Sequence, residues 1–179
     1  MTKLVNNTMD ALQQPPFHLA AKRLKDEHDA LKDELAVIEE NLQYIFTILG
    51  TDASTSKLQE LRAKMVGLMK KVEAHERWEE QTWFPMLFEH ADPDKRSSFH
   101  TTLWILGEDH KKVERFVHAF YEAAQLAEDM DPKHLNEAVA SLTMTCSILH
   151  EHFMSEEDMV YALTNLSMED LVDVKGVQA

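Results

Sequence analysis

Two stretches of the chain, His75-Glu76-Arg77-Trp78-Glu79-Glu80 and His152-Phe153-Met154-Ser155-Glu156-Glu157, repeat one pattern: a histidine, three residues, then a pair of acids. On a helix, positions i and i+4 share a side, so an imidazole and a carboxylate address one point together. A second echo lies upstream of each: Leu24-Lys25-Asp26-Glu27-His28 and Leu106-Gly107-Glu108-Asp109-His110 place a histidine directly after two acids and four residues after a leucine. Four histidines and two glutamates in two matched halves make a ligand set for two metal ions.

Four long segments must position these residues, and in each of them apolar side chains recur in alternating steps of three and four, the mark of a helix. The first seam is Leu24, His28, Leu31, Leu35, Ile38, Leu42, Ile45, Leu49, and the second Leu58, Leu61, Met65, Leu68, Val72, His75, Glu79, Thr82, Met86. The third is Leu103, Leu106, His110, Val113, Val117, Phe120, Ala124, Ala127, and the fourth Leu135, Val139, Leu142, Cys146, Leu149, His152, Glu156, Met159, Leu163. All six repeated residues fall on an apolar stripe.

The breaks carry turn chemistry. Gly50 is a helix stop, followed by N-cap candidates in Thr51 to Ser56; a second break is Ala91-Asp92-Pro93-Asp94, and Asp131-Pro132 pairs an N-cap with proline at the first helical position. Short loops between long helices favour antiparallel neighbours, so the predicted fold is all-α: an up-down-up-down four-helix bundle over 15–165. An N-terminal arm is expected over 1–14, and a tail over 166–179 with a short helix at Ser167 to Val172. Pro85 lies inside the second segment and should kink it or end it early, because it offers no backbone N–H.

In an antiparallel bundle, residues equally distant from a shared turn lie at equal height. His28 and His75 are about 24 and 22 residues from the first turn, a difference of roughly 3 Å at 1.5 Å per residue. Similar counts hold for His110 and His152 around the turn near 131, and for Glu79 and His110 around the turn near 93. All six then occupy one slice. Glu79 and Glu156 have no lysine or arginine on their own stripes, and an uncompensated buried carboxylate costs several kcal/mol, which a metal ion would offset.

Imidazole with carboxylate suits iron, manganese or zinc, and the absence of cysteine from the set argues against a structural zinc site. Two bridging carboxylates and two imidazoles per ion leave room for an oxo or hydroxo bridge and one exchangeable position. Such a position is what oxygen, peroxide or nitric oxide chemistry needs, and iron leads the candidates.

Composition narrows the function. The formal charge of −14 across 179 residues lacks the basic footprint of nucleic-acid or anionic-membrane binding. Cys146 is the only cysteine, which excludes a disulfide framework, and Met1 to Gln14 carries no apolar run typical of a leader. The expectation is a cytoplasmic protein.

The pattern resembles the hemerythrin-like, or HHE cation-binding, four-helix proteins. The resemblance covers roughly residues 18 to 165 and is carried most specifically by His75 to Glu80 followed by Trp83-Phe84-Pro85-Met86, and by Glu151 to Glu157. It implies a non-haem di-iron centre with terminal ligands His28, His75, His110 and His152 and bridging Glu79 and Glu156. Oxygen carriers of this kind have a fifth histidine one turn after the third-helix ligand, where this chain has Glu114. The set is closer to the four-histidine, two-glutamate centre of bacterial di-iron proteins that repair damaged iron centres, although their cysteine-bearing N-terminal domain has no counterpart in these 179 residues. The implied activity is the handling of a small oxidant or of iron itself, by storage, delivery or iron-centre repair. The alternative is a metal-dependent sensor or interaction module without catalysis. A ferritin-like oxidase would place Glu three before His, an order absent at His28, His75, His110 and His152.

Other residues are set aside. His150 lies about 200° around the helix from His152 and should be exposed. Glu114, one turn after His110, is a candidate extra ligand or pathway acid, but reads first as a flanking surface acid. Glu76, Glu80 and Glu157 lie off the stripe, either orienting ligand imidazoles from behind or forming a solvated face. His18, His90, His100, His118 and His134 are assigned to the surface, Cys146 to the core, and Tyr44 and Tyr161 have only proximity in sequence to suggest a place near the centre.

Overall fold

The computed structural model describes residues 15–91, 93–127, 131–164, 168 and 170. The chain is all-α: α1 is Pro15–Ile48, α2 is Asp52–Trp78, a π-helical turn Glu79–Trp83 leads into α3, Phe84–His90, and a 3-10 turn Pro93–Lys95 precedes α4, Arg96–Leu126, and α5, Pro132–Thr164. The expected arm over 1–14 lies outside the described residues. So does most of the expected C-terminal helix, of which Met168 and Asp170 are described and helical, with Met168 buried.

Turn residues act where their chemistry places them. Gly50 has φ +83°, a left-handed conformation that suits a residue without Cβ, and it stands just past the end of α1. Leu49, expected on the seam, falls in this turn and is exposed. The carbonyl of Thr51 accepts the Ser54 N–H at 2.9 Å and the Ser54 hydroxyl at 2.6 Å, so α2 begins at Asp52, six residues ahead of its expected first apolar position. At the start of α5 the Asp131 carboxylate accepts the Lys133 N–H at 2.9 Å, with Pro132 at the first helical position.

Pro85 does not end the second segment. The break appears instead as the π turn just before it, closed by a bond from the Phe84 N–H to the Glu79 carbonyl. This corrects the second seam: Trp83 and Leu87 are buried, whereas Thr82 is exposed and Met86 half-buried. The physical reason is the spacing 75, 79, 83, 87. Each step of four overshoots a straight α-helix by about 40°, and one wider turn absorbs the drift. His75, Glu79, Trp83 and Leu87 thereby all face inward.

The chain forms two compact units. In one, the stretches 15–29, 74–91, 96–106 and 153–164 enclose a core of Phe17, Leu24, Trp83, Leu87, Phe99, Leu106, Val160 and Leu163. Burial of each large apolar side chain contributes on the order of 1.5–3 kcal/mol before entropy is counted. In the other, the stretches 30–48, 52–73, 107–126 and 132–152 bury Leu31, Leu35, Ile38, Leu42, Leu61, Met65, Val113, Phe120, Leu142 and Leu149 on the expected seams. There the Gln59 side-chain amide donates to the Ala124 carbonyl at 2.9 Å.

Candidate metal centre

In the first unit α1 contributes His28, α2 His75, the π turn Glu79 and α5 Glu156. All four are buried, and one donor atom from each lies within 4.8 Å of the others. His75 Nε2 is 2.7 Å from Glu79 Oε1, as their i,i+4 spacing requires, and His28 Nε2 is 3.2 Å from Glu156 Oε2 and 3.8 Å from Glu79 Oε1. Despite this closeness, His28 Nε2, His75 Nε2 and both oxygens of Glu79 and Glu156 form no hydrogen bond. They approach one another without alignment, and their lone pairs converge on a common space.

Leaving a buried polar atom unsatisfied costs roughly 1–3 kcal/mol. A shared cation removes that cost for all of them at once. Donors bonded at about 2.0–2.2 Å to a central ion stand at most ~4.4 Å apart, a separation this cluster meets with little adjustment. The buried histidines and glutamates could therefore hold a metal ion.

Each imidazole is held from behind by a carboxylate. His28 Nδ1–H donates to Glu157 Oε1 at 3.0 Å, and His75 Nδ1–H donates to Glu27 Oε2 at 2.7 Å. An ionised carboxylate can only accept, so each bond places a proton on Nδ1 and aims Nε2 at the cluster, where a metal ion would take the place of a proton. Glu157 thus takes the orienting role; Glu80 is exposed and Glu76 half-buried. Glu27 is the residue sequence reasoning missed. It stands beside His28, but its partner is on the neighbouring helix. Phe153, also unassigned, packs its buried ring 4.9 Å from that of His28 and 6.3 Å from that of His75.

Proton affinities in the cluster are strongly displaced. Burial disfavours charge on His28, but the carboxylates of Glu156, Glu157 and Glu79 overcome it and raise its pKa to about 11. Burial likewise opposes charge on His75, and Glu79 and Glu27 reverse the balance to a raised value. Burial also works against the Glu79 carboxylate, which His28 and His75 nevertheless hold well below the ordinary range. Glu156 goes the other way, pushed up to about 8 by burial and by the charge of Glu79. Two carboxylates so close share cationic neighbours unequally, and a metal ion would replace protons here.

In the second unit His110 and His152 meet, with Nε2 atoms 3.1 Å apart and ring centroids at 4.6 Å. Two nitrogens at about 2.1 Å from one ion and near a right angle to each other would be separated by about 3 Å. His152 is buried and His110 half-buried. The equal-height expectation is met for His28 with His75, whose rings are 4.9 Å apart, and for His110 with His152.

The residues set aside divide. His150, Glu114, His100 and His118 are exposed as expected, and Tyr44 and Tyr161, whose sequence proximity suggested a place near the centre, are exposed instead. His18, His90 and His134 are half-buried rather than superficial. For His90 the cause is clear, because its ring stacks on Phe17 at 4.7 Å and its Nδ1–H donates to the Met86 carbonyl at 2.8 Å. Cys146 is buried in the core as expected.

No protein-family model, curated protein or solved structure matches the chain. Among the described residues no helix is long and apolar enough to cross a membrane.

Proposed function

We propose that this chain is a non-haem di-iron protein of the hemerythrin-like kind, acting in the cytoplasm on a small oxidant such as oxygen, peroxide or nitric oxide, or on iron itself by storage, delivery or iron-centre repair. The observation that carries the reading is the convergence of His28, His75, Glu79 and Glu156, with buried donor atoms that no hydrogen bond satisfies. One ion belongs to this cluster. The second is assigned to His110 and His152 on the strength of the repeated motif and their facing nitrogens. Iron, when bound, supplies a redox-active centre with an exchangeable coordination position. The chain supplies the rest: Glu27 and Glu157 fix the imidazole orientation, and the buried Phe153 ring packs beside His28 as an apolar wall of the cluster. Glu114, exposed and in the place of a fifth histidine, favours oxidant or iron handling over reversible oxygen carriage.

Anaerobic reconstitution with ferrous iron, followed optically as oxygen, peroxide and nitric oxide are added in turn, tests the reading. About two irons per chain and a near-ultraviolet oxo-to-iron band after oxidation are expected. A chain that retains no iron after reconstitution would overturn it.

A further inference from the structure

The imidazole of His75 sits at the end of a network that reaches the surface through two residues outside the ligand set. Glu27 receives the His75 Nδ1–H on Oε2 at 2.7 Å, and on Oε1 it receives the Arg23 Nε–H, also at 2.7 Å. The Arg23 guanidinium lies over the Trp78 ring, 4.2 Å from its centroid, and the Trp78 ring is in turn 6.2 Å from that of His75. Arg23 precedes Glu27 by four positions on α1, and Trp78 follows His75 by three on α2, so each pair shares a helix face. The contacts close a loop between the two helices: His75 to Glu27, Glu27 to Arg23, Arg23 to Trp78, and Trp78 through the backbone to His75.

A solitary exposed i,i+4 ion pair contributes little, because both side chains remain mobile and solvent screens them. Arg23 is differently placed. Its plane is stacked on an indole while its edge meets a carboxylate, so it has lost much of that freedom, and Glu27 is held between two donors. Only a guanidinium can stack by its face and donate by its edge at once; an ammonium on a flexible stem cannot do both.

We propose that Arg23, clamped on Trp78, is a positioning residue for the metal ligand His75, fixing Glu27 so that the His75 Nε2 lone pair faces the cluster. The inference rests on the reading of His75 as a ligand, and its test separates the two. Zinc, a diamagnetic probe for imidazole and carboxylate donors, is titrated against a chelator, and the His75 Nδ1–H is followed by NMR in zinc-loaded protein with 15N-labelled histidine.

Arg23→Gln is expected to weaken zinc binding about tenfold and to speed solvent exchange of the His75 Nδ1–H. Arg23→Lys should recover part of both, and Trp78→Leu should fall between wild type and Arg23→Gln. Lys22→Gln serves as the control, since it removes a comparable i,i+4 pair with Asp26 on the same helix and should change neither readout. If Arg23→Gln loses helical structure, Arg23→Lys and Trp78→Leu decide by the same two measurements. Zinc binding within about twofold of wild type, with the Nδ1–H unchanged, would overturn the positioning role. Wild-type protein that binds neither zinc nor iron would instead overturn the ligand reading beneath it.

Discussion

His28 Nε2 and Glu156 Oε2 stand 3.2 Å apart, both buried, and no hydrogen bond joins them. In an ordinary core such a pair would rotate into alignment. Here Nδ1 of His28 is engaged by Glu157, so the ring cannot turn to satisfy Nε2 without giving up that bond. The misalignment is a cost to the metal-free fold and a preorganised feature for an ion. Glu156→Met should therefore raise the thermal stability of metal-free protein, by about 1 kcal/mol, because it removes a buried carboxyl whose charged form the fold disfavours while Glu157 and Glu79 still accompany His28. The same change should abolish the stabilisation that wild type gains from metal, which is about 2.7 kcal/mol at a hundredfold excess over Kd. Melting curves with and without metal give both numbers. A variant less stable than wild type without metal would show that Glu156 has a structural partner.

A second test sets two histidines of one helix against each other. His152 is buried against His110, whereas His150 is exposed on another face of α5. His152→Ala should lower bound iron to about one per chain or less, since it removes one of the two imidazoles assigned to the second ion. His150→Ala should leave iron content unchanged. Metal analysis of the two variants after identical reconstitution decides, and the reverse ranking would mean that the ligand face is wrongly assigned. Glu79→Ala, which removes a donor from the four-residue cluster, should likewise lower the content.

Much of this arrangement is legible in the sequence because it depends on local rules. The fourth seam, Leu135 to Leu163, is buried at every position, and Gly50 and Asp131-Pro132 act as helix stop and start. Glu79 and Glu156 were visible as carboxylates on apolar stripes. What escaped depends on how one helix is rotated against another. Glu27 is adjacent to His28 in sequence yet serves His75, and nothing in α1 alone says which neighbouring imidazole its side chain reaches. The π turn escaped for a different reason: a template of period 3.6 accepts Thr82 and Met86 as readily as Trp83 and Leu87. Only the unbroken run of four-residue steps from His75 to Leu87 signals the wider turn.

That turn yields a third prediction. Gln81 is exposed within it, so inserting one alanine after Gln81 adds a residue without removing a buried side chain. The helix already holds one wide turn here, and a further residue would rotate everything after it by about 100° relative to His75 and Glu79. Either the ligands or Trp83 and Leu87 must leave the interior. The expected loss is several kcal/mol, because each large apolar side chain contributes on the order of 1.5–3 kcal/mol on burial. Far-ultraviolet circular dichroism should report helix content near that of wild type, while denaturant melts show lowered stability or metal analysis shows reduced iron. Wild-type stability together with wild-type iron content would mean that the register across the π turn does not hold Glu79, Trp83 and Leu87 on one face.

Cys146 offers a prediction independent of any metal. Its thiol is buried, and burial, reinforced by the charge of Glu39, pushes its pKa from 9.0 up to about 12. The fold thus favours the neutral thiol. Stability is undisturbed below the unfolded-state value, and as pH rises from about 9 toward 12 the unfolded chain ionises first and gains relative to the fold, by up to ~1.4 kcal/mol per pH unit. Cys146→Val fills similar space without an ionisable group, so the difference in stability between variant and wild type should widen in the variant's favour above pH 9 and stay flat below it. Native protein at pH 8 should also resist thiol alkylation and react promptly in denaturant, since the thiolate is the nucleophile. Alkylation of the native protein at the rate of a free thiol, or a stability difference with no pH dependence, would place Cys146 in contact with solvent instead.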